Sequence, residues 1–352
     1  MSNKKISTLA ALAVASLILA GCATSGENGP EPEESKALGC MVTNSGGLED
    51  RSFNQSTWQG LEKAKTELSV TTRVLVSESA SDLIPNVNTM VAEKCDLIVT
   101  VGWELWDATD AAAKANPGIA FAIVDEMLDA KNVRSIVFDT AQASFLAGYL
   151  AAAMTKTGIV ATFGGDLQPP VMLFMDGFVD GVAHYNLTHS KGVQVIGWDK
   201  TKQDGLITGD YENIAAGRTM TEGLLAQNAD VIMPVAGQVG EGAAAAVLDH
   251  GNAYVIWVDS DGYETAPKEF QPIMLTSVLK RMDTAVFKTV EDLLNGVFSN
   301  EPYIGTLENG GVAIADTHDV KVPASVLAEI EALKKQIISG ELEITSPSSP
   351  KK

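Results

Sequence analysis

The sequence predicts an α/β protein built as two doubly wound lobes, and three observations carry that expectation. Short β-branched apolar runs alternate with longer amphipathic stretches along most of the chain, the signature of βαβ units and parallel sheets. Eleven such runs occur, too many for one simple sheet. The segment from Leu38 to about Glu343 also outruns the roughly 250–300 residues at which a single hydrophobic core stops growing.

In chain order, the runs 38–43, 73–77, 96–101, 120–124 and 134–138 read as strands, and the stretches 53–68, 83–94 and 105–115 as the helices between them. The stretch 141–156 is apolar nearly all round. Bounded by Asp139 and Lys156, it is too short to span a bilayer and reads as a buried core helix. The runs 159–163, 193–197, 231–236, 254–258, 273–276 and 312–315 supply the remaining strands, with helices over 209–227, 240–250, 282–295 and 323–339. Lobe 1 is expected to hold 38–139 plus about 262–300, and lobe 2 to hold 140–261 plus about 301–343.

The ends read differently. Lys4 and Lys5 precede an apolar run at 6–20 that closes on Leu19-Ala20-Gly21-Cys22, the pattern of a bacterial lipoprotein signal. Residues 1–21 are then a signal peptide, and Cys22 is the lipidated residue that holds the chain to the extracytoplasmic face of the cell membrane. Residues 22–37 lack large apolar side chains and are expected to be a flexible tether; 344–352 is expected to be a disordered tail.

Asp and Glu number 45 against 25 Lys and Arg, a formal net charge of −20. That balance excludes nucleic acid as a natural partner and favours a neutral small molecule or a cation. With Cys22 assigned to lipid, Cys40 and Cys95 remain, each at the start of a strand and on neighbouring strands of a 2-1-3 order. The narrow geometry of a bridge favours two buried free thiols over the disulfide that an exported chain permits. His184, His189, His250 and His318 have no metal-ligand spacing, and no metal or cofactor is expected.

Ligands of open α/β sheets bind outside the carboxyl ends of the strands. The first such loop is the richest. Ser52 and Gln55 have capping-box spacing, which places Phe53 and Asn54 on the first helical turn at the mouth of a cleft. An aromatic face beside an amide suits a flat polar ring, although Phe53 alone reads more readily as a hydrophobic plug packing on its lobe. Asp259 alone reads as a cap, Lys280 alone as a surface lysine, and Trp103 as either a cleft wall or lobe packing.

The run Thr43-Asn-Ser-Gly-Gly-Leu-Glu-Asp-Arg-Ser-Phe-Asn-Gln-Ser-Thr-Trp-Gln-Gly60 resembles the opening of the basic membrane protein family, bacterial lipoproteins that bind nucleosides for ABC importers. The likeness continues through Phe121-Ala-Ile-Val-Asp125, Ser144-Phe-Leu-Ala-Gly-Tyr-Leu-Ala-Ala152, Gly177-Phe-Val-Asp-Gly181, Ala236-Gly-Gln-Val-Gly-Glu-Gly242 and Val258-Asp-Ser-Asp261. The resemblance implies a type I periplasmic-binding-protein fold, two parallel-sheet lobes joined by hinge strands with the ligand between them. It implies a monomeric, non-enzymatic binding protein whose partners are a nucleoside and separate permease and ATPase subunits, since no P-loop motif occurs in this chain. Residue by residue, Phe53 matches the side chain that stacks on the base and Asn54 the amide on its edge. Asp259 and Lys280 match positions that hold ribose hydroxyls, Gly237 a glycine closing on the sugar, and Asp125 a further sugar contact. Tyr211 resembles a second aromatic wall.

Asn44 departs from the family, whose purine-nucleoside receptors carry an aspartate there. A carboxylate only accepts hydrogen bonds, whereas an amide donates and accepts, so a broadened base range is expected. Rival readings are a sugar- or signal-binding lipoprotein of the same fold, a nucleoside hydrolase, or an NAD enzyme built on Gly237-Gln-Val-Gly-Glu-Gly242, whose glycine order differs from the dinucleotide fingerprint.

Overall fold

The computed structural model describes residues 36–351. The expected signal peptide, Cys22 and residues 22–35 of the expected tether lie outside them. The chain is engaged from its first described residue, with the Lys36 N–H donating to the Ser69 carbonyl at 3.1 Å.

The first half alternates β1 (Leu38–Val42), α1 (Phe53–Leu68), β2 (Thr71–Leu75), α2 (Ala80–Ala92), β3 (Leu97–Val101), α3 (Trp106–Ala115), β4 (Ala120–Val124) and β5 (Val133–Phe138). The second runs through α4 (Thr140–Met154), β6 (Ile159–Gly164), α5 (Pro169–His189), β7 (Gln194–Ile196), a short hairpin of β8 (Trp198–Asp199) and β9 (Asp204–Gly205), α6 (Ile214–Leu225), β10 (Val231–Val235), α7 (Val239–His250), β11 (Tyr254–Asp259), α8 (Gly262–Thr265) and β12 (Met274–Lys280). The chain ends with α9 (Met282–Leu294), β13 (Tyr303–Gly305), β14 (Val312–Ile314) and α10 (Ala324–Ser339).

Two six-stranded sheets result, ordered β13-β5-β4-β3-β1-β2 and β14-β12-β11-β10-β6-β7. Every pairing in them is parallel except β12 with β14. The buried central strands β3, β4 and β10 are nearly continuous apolar runs, broken only by Thr100 in β3, rather than alternating ones, as sheets covered on both faces require. The expected eleven strands all form, joined by β8, β9 and β13, which are two or three residues long. α5 was not among the helices singled out. Its first turn carries Pro169 and Pro170, and it packs along α4. Gly148, Gly177 and Gly181 lie at that contact, where an added Cβ would overlap the backbone of the facing helix.

The strand membership corrects the expected lobe boundaries. β12, assigned with 262–300 to lobe 1, pairs with β11 in the second sheet, because Val278 and its neighbours complete that sheet's buried surface. α9 then returns to pack on α1, β13 joins β5 in the first sheet, and β14 crosses back. The chain therefore passes between the sheets after β5, after β12 and after β13.

Two further expectations change. Cys40 and Cys95 form a disulfide, not two free thiols: strand adjacency brings their Cα atoms to 6.0 Å, within bridging range. Residues 344–351 are not free of the fold: Ile344 is buried, Ser346 Oγ donates to Asp176 at 2.6 Å, and Lys200 Nζ donates to the Thr345 carbonyl at 2.6 Å. Asp176 is fully buried, and a buried carboxylate needs donors; Trp198 Nε1 and Gln203 Nε2 supply the others. α4 is the core helix that its sequence predicts, and among the described residues no helix is long and apolar enough to cross a membrane.

Candidate functional site

The carboxyl ends of β1, β3, β4, β10, β11 and β12 open onto one cavity of about 810 Å³ between the two sheets, part of it continuous with solvent. All eight residues singled out from the sequence line it: Asn44, Phe53, Asn54, Asp125, Tyr211, Gly237, Asp259 and Lys280. They come from segments scattered across more than two hundred residues, and only the strand order brings them together. The resemblance named them. Spacing alone does not.

The loop after β1 is shaped by Asp50, which the sequence reading passed over. Its Oδ1 accepts the backbone N–H of Ser52 (3.1 Å) and Gln55 (3.0 Å), and its Oδ2 accepts that of Asn54 (2.6 Å). Asp50 therefore satisfies the orphan donors at the start of α1, and the expected Ser52–Gln55 capping box does not form. A serine at the N-cap with an acid two residues before it was the available signal. Burial pushes the Asp50 carboxyl up to about 6, against the pull of its three N–H donors. Freed from capping, Ser52 Oγ donates to Asp259 Oδ2 at 2.6 Å across the cleft.

Phe53 and Asn54 stand on the first turn of α1 as expected. Lys280 Nζ lies 4.8 Å from the Phe53 ring centroid and faces Phe138 and Phe174 as well, a cation among aromatic faces. Far from being a surface lysine, Lys280 is buried, ion-paired to Asp125 and 4.0 Å from Asp259 Oδ1. Burial raises the Asp125 carboxyl above its ordinary range despite that lysine. Asp125 and Asp259 terminate their strands with φ of 67° and 68°, left-handed conformations uncommon for residues with a side chain. Each strand end thus turns sharply and leaves its carboxylate at the cavity floor.

Asn54 Nδ2 donates to Asn44 Oδ1 at 2.7 Å, and Asn54 Oδ1 is buried without a partner. On the opposite wall, Gly237 (φ 55°) opens the β10–α7 turn, where a Cβ would stand 3.3 Å from the Tyr211 carbonyl oxygen. Tyr211 lines both the cavity and its mouth, and burial raises its hydroxyl well above the usual range. Trp103 also reaches the cavity but is 45% exposed, so it forms the rim rather than lobe packing. Asp261 caps α8 by accepting the Tyr263 N–H at 3.1 Å and pairs with His318.

The Gly237–Gly242 run serves packing. Gly240 sits against Trp257 and Gly242 against the backbone of α6. His184 meets Phe145 edge to face, and His189 stacks on Tyr185. Among the described residues no cluster of three or more His, Cys, Asp or Glu side chains has metal-binding geometry. The arrangement offers an aromatic face and amide hydrogen-bonding groups on one side, and paired carboxylates with a cation on the other. That set can grip a ring and a polyol by hydrogen bonding, with no proton transfer needed.

Comparison with known proteins points the same way. The Bmp family model, described as ABC transporter substrate-binding protein PnrA-like, matches residues 37–348. A protein of Lactococcus lactis subsp. cremoris named ABC transporter nucleoside-binding protein BmpA is 31% identical, over 98% of this chain and 99% of its own length. Basic membrane protein A of Borreliella burgdorferi is 27% identical over 94% of this chain and 93% of its own length. Among solved structures, a solute-binding protein of an ABC transporter system from Aeropyrum pernix superposes with a TM-score of 0.77 at 24% identity, covering 88% of this chain and 94% of that one. This last likeness shows the fold, that of periplasmic binding proteins of type I.

Proposed function

The chain belongs to the Bmp family of PnrA-like ABC transporter substrate-binding proteins, and on that premise we propose that it captures a neutral nucleoside, a purine nucleoside foremost, in the cavity between its sheets. A substrate-binding protein of this kind delivers a small molecule to a permease and ATPase. The observation that carries the nucleoside reading is the division of the cavity into a base end and a sugar end. Phe53 offers its face and Asn44 with Asn54 their amides to a base, while Asp125, Asp259 and Lys280 present acceptors and a donor to vicinal hydroxyls. Tyr211 and Gly237 close on the ligand from the second sheet's side.

Because each sheet contributes half of these groups, a ligand that touches both biases the hinge equilibrium toward the closed form. Function in this reading is capture and presentation by a monomer tethered through a lipidated Cys22 to the outer face of the membrane, consistent with the signal pattern at residues 1–22.

Titration calorimetry of the chain from Ser35 onward, freed of co-purified ligand, against adenosine, guanosine, inosine, cytidine, uridine, free bases and ribose tests this. Tight binding of a nucleoside without release of free base is the expected result. Heat with sugars alone, or with none of these, overturns it. Phe53→Ala is expected to weaken binding by about tenfold or more, since base–aromatic stacking contributes about 1–3 kcal/mol.

A further inference from the structure

The wall that Tyr211 gives to the cavity stands on a segment with little hold of its own. Among residues 198–211, Trp198 alone is buried. β8 and β9 are two residues each, and so short a hairpin is not stable by itself. Beyond it, the chain meets the carboxyl end of β6 through one bridge, Gly164 with Ile207, and through the N–H groups of Thr208 and Gly209, which donate to the Gly164 and Gly165 carbonyls at 3.0 and 2.9 Å. The Tyr211 ring then lies over Gly165, where an added Cβ would overlap it.

What fixes the hairpin is Asp176, fully buried on α5 two residues after Phe174 of the cavity lining. Its carboxylate accepts from Trp198 Nε1 at 2.8 Å and from Gln203 Nε2 at 3.0 Å, and from Ser346 Oγ at 2.6 Å. Ser346 Oγ itself accepts the Ser348 N–H at 3.0 Å, which directs its own hydrogen toward Asp176. Lys200, inside the hairpin, pairs with Asp180 one turn further along α5 and donates to the Thr345 carbonyl at 2.6 Å. Ile344 is buried beside them in sequence. Three hairpin side chains are thus tied to α5, and residues 344–346 close over the same knot. None of Asp176, Trp198, Gln203 or Ser346 lines the cavity.

We propose that Asp176 is a positioning residue for the ligand cavity, and that residues 344–346 act with it as a strap that fixes the hairpin on α5 and so holds Tyr211 against Gly165. The proposal takes its ligand from the nucleoside reading above and adds that groups outside the cavity set the affinity. Loss of the Ser346 hydroxyl leaves a buried carboxylate short of a donor. The hairpin loosens, and the effect falls on residues 206–211, which have little burial to resist it.

The test is calorimetry with adenosine and inosine on the full chain in detergent, for wild type, Ser346→Ala, Tyr211→Ala and the double variant, beside amide hydrogen exchange of the same proteins without ligand. Ser346→Ala is expected to weaken binding by about three- to tenfold, the effect of one lost hydrogen bond to a buried carboxylate, and to add no further loss once Tyr211 is alanine. Exchange at the Thr208 and Gly209 N–H groups is expected to quicken. Gln203→Ala, which removes a donor from the hairpin side, is expected to reproduce both effects. Unchanged affinity, a loss as large without Tyr211 as with it, or unchanged exchange at those two amides shows that the strap serves stability alone and overturns the proposal. If wild type binds neither nucleoside, the nucleoside reading falls instead, and the exchange rates decide the strap: quickened exchange supports it and unchanged exchange overturns it.

Discussion

Arg51, on the loop before α1, forms a 2.9 Å ion pair with Glu241 on the first turn of α7, joining the first sheet's layer to the second across the cavity. The same residue donates to the Thr265 carbonyl at 3.2 Å and accepts from Ser260 Oγ at 2.7 Å through its own carbonyl. With Gln238 Nε2 donating to the Gly46 carbonyl at 3.1 Å and Ser52 Oγ bonded to Asp259, one loop clasps the opposite lobe through several contacts.

Removing the side-chain part of that clasp acts on ligand release. Arg51→Ala is expected to raise the nucleoside dissociation rate by about two- to fivefold and leave the association rate nearly unchanged, since a half-exposed ion pair contributes little. Stopped-flow fluorescence from Trp103 at the rim reads both rates. A changed association rate with unchanged release contradicts the clasp.

Lys280 is only 3% exposed, and its removal strands two carboxylates. Lys280→Met is expected to cost about 3–5 kcal/mol in denaturant unfolding, the range for breaking one partner of a buried ion pair. Adding Asp125→Asn is expected to restore part of the loss. If the double variant is as unstable as the single one, the loss comes from packing, not from unpaired charge.

Asp50 gives the stability a pH signature. Its carboxyl is raised from 3.8 to about 6 in the fold. The folded state therefore holds the proton through a range in which the unfolded chain has released it, and stability falls as pH rises from about 4 to about 6. The single-site swing is on the order of 3 kcal/mol. Asp50→Asn is expected to flatten that part of the profile relative to wild type while lowering overall stability by about 1–2 kcal/mol through lost capping. Identical slopes for the two proteins between pH 4 and 6 would show that other carboxyls carry the dependence.

The Cys40–Cys95 disulfide closes a chain separation of 55 residues in the first sheet. Replacing both cysteines by alanine is expected to lower stability by up to about 4 kcal/mol from loop entropy. Ligand affinity is expected to stay within about twofold, because neither Cys40, in the middle of β1, nor Cys95, just before β3, lines the cavity.

What the sequence determined by itself is the part that rests on local pattern. Apolar runs such as Leu97–Val101 and Ala120–Val124 are long and β-branched enough to be strands in any setting, and α1 begins and ends where its periodicity does. The loop from Asn44 to Asn54 carried a family likeness that named the cavity residues. Tertiary structure decided the rest. Three-residue β13 has no pattern of its own and exists because β5 offers it an edge. β12 joined the second sheet because β11 was there to pair with. The role of Ser52 passed to Asp50 because a carboxylate reaches three N–H groups at once, which left the serine hydroxyl for Asp259. Lys280 reads as a surface residue until two carboxylates and three aromatic rings from distant segments surround it. Burying a charge is costly unless partners meet it there, and where partners meet is a property of the folded chain, not of neighbours in sequence.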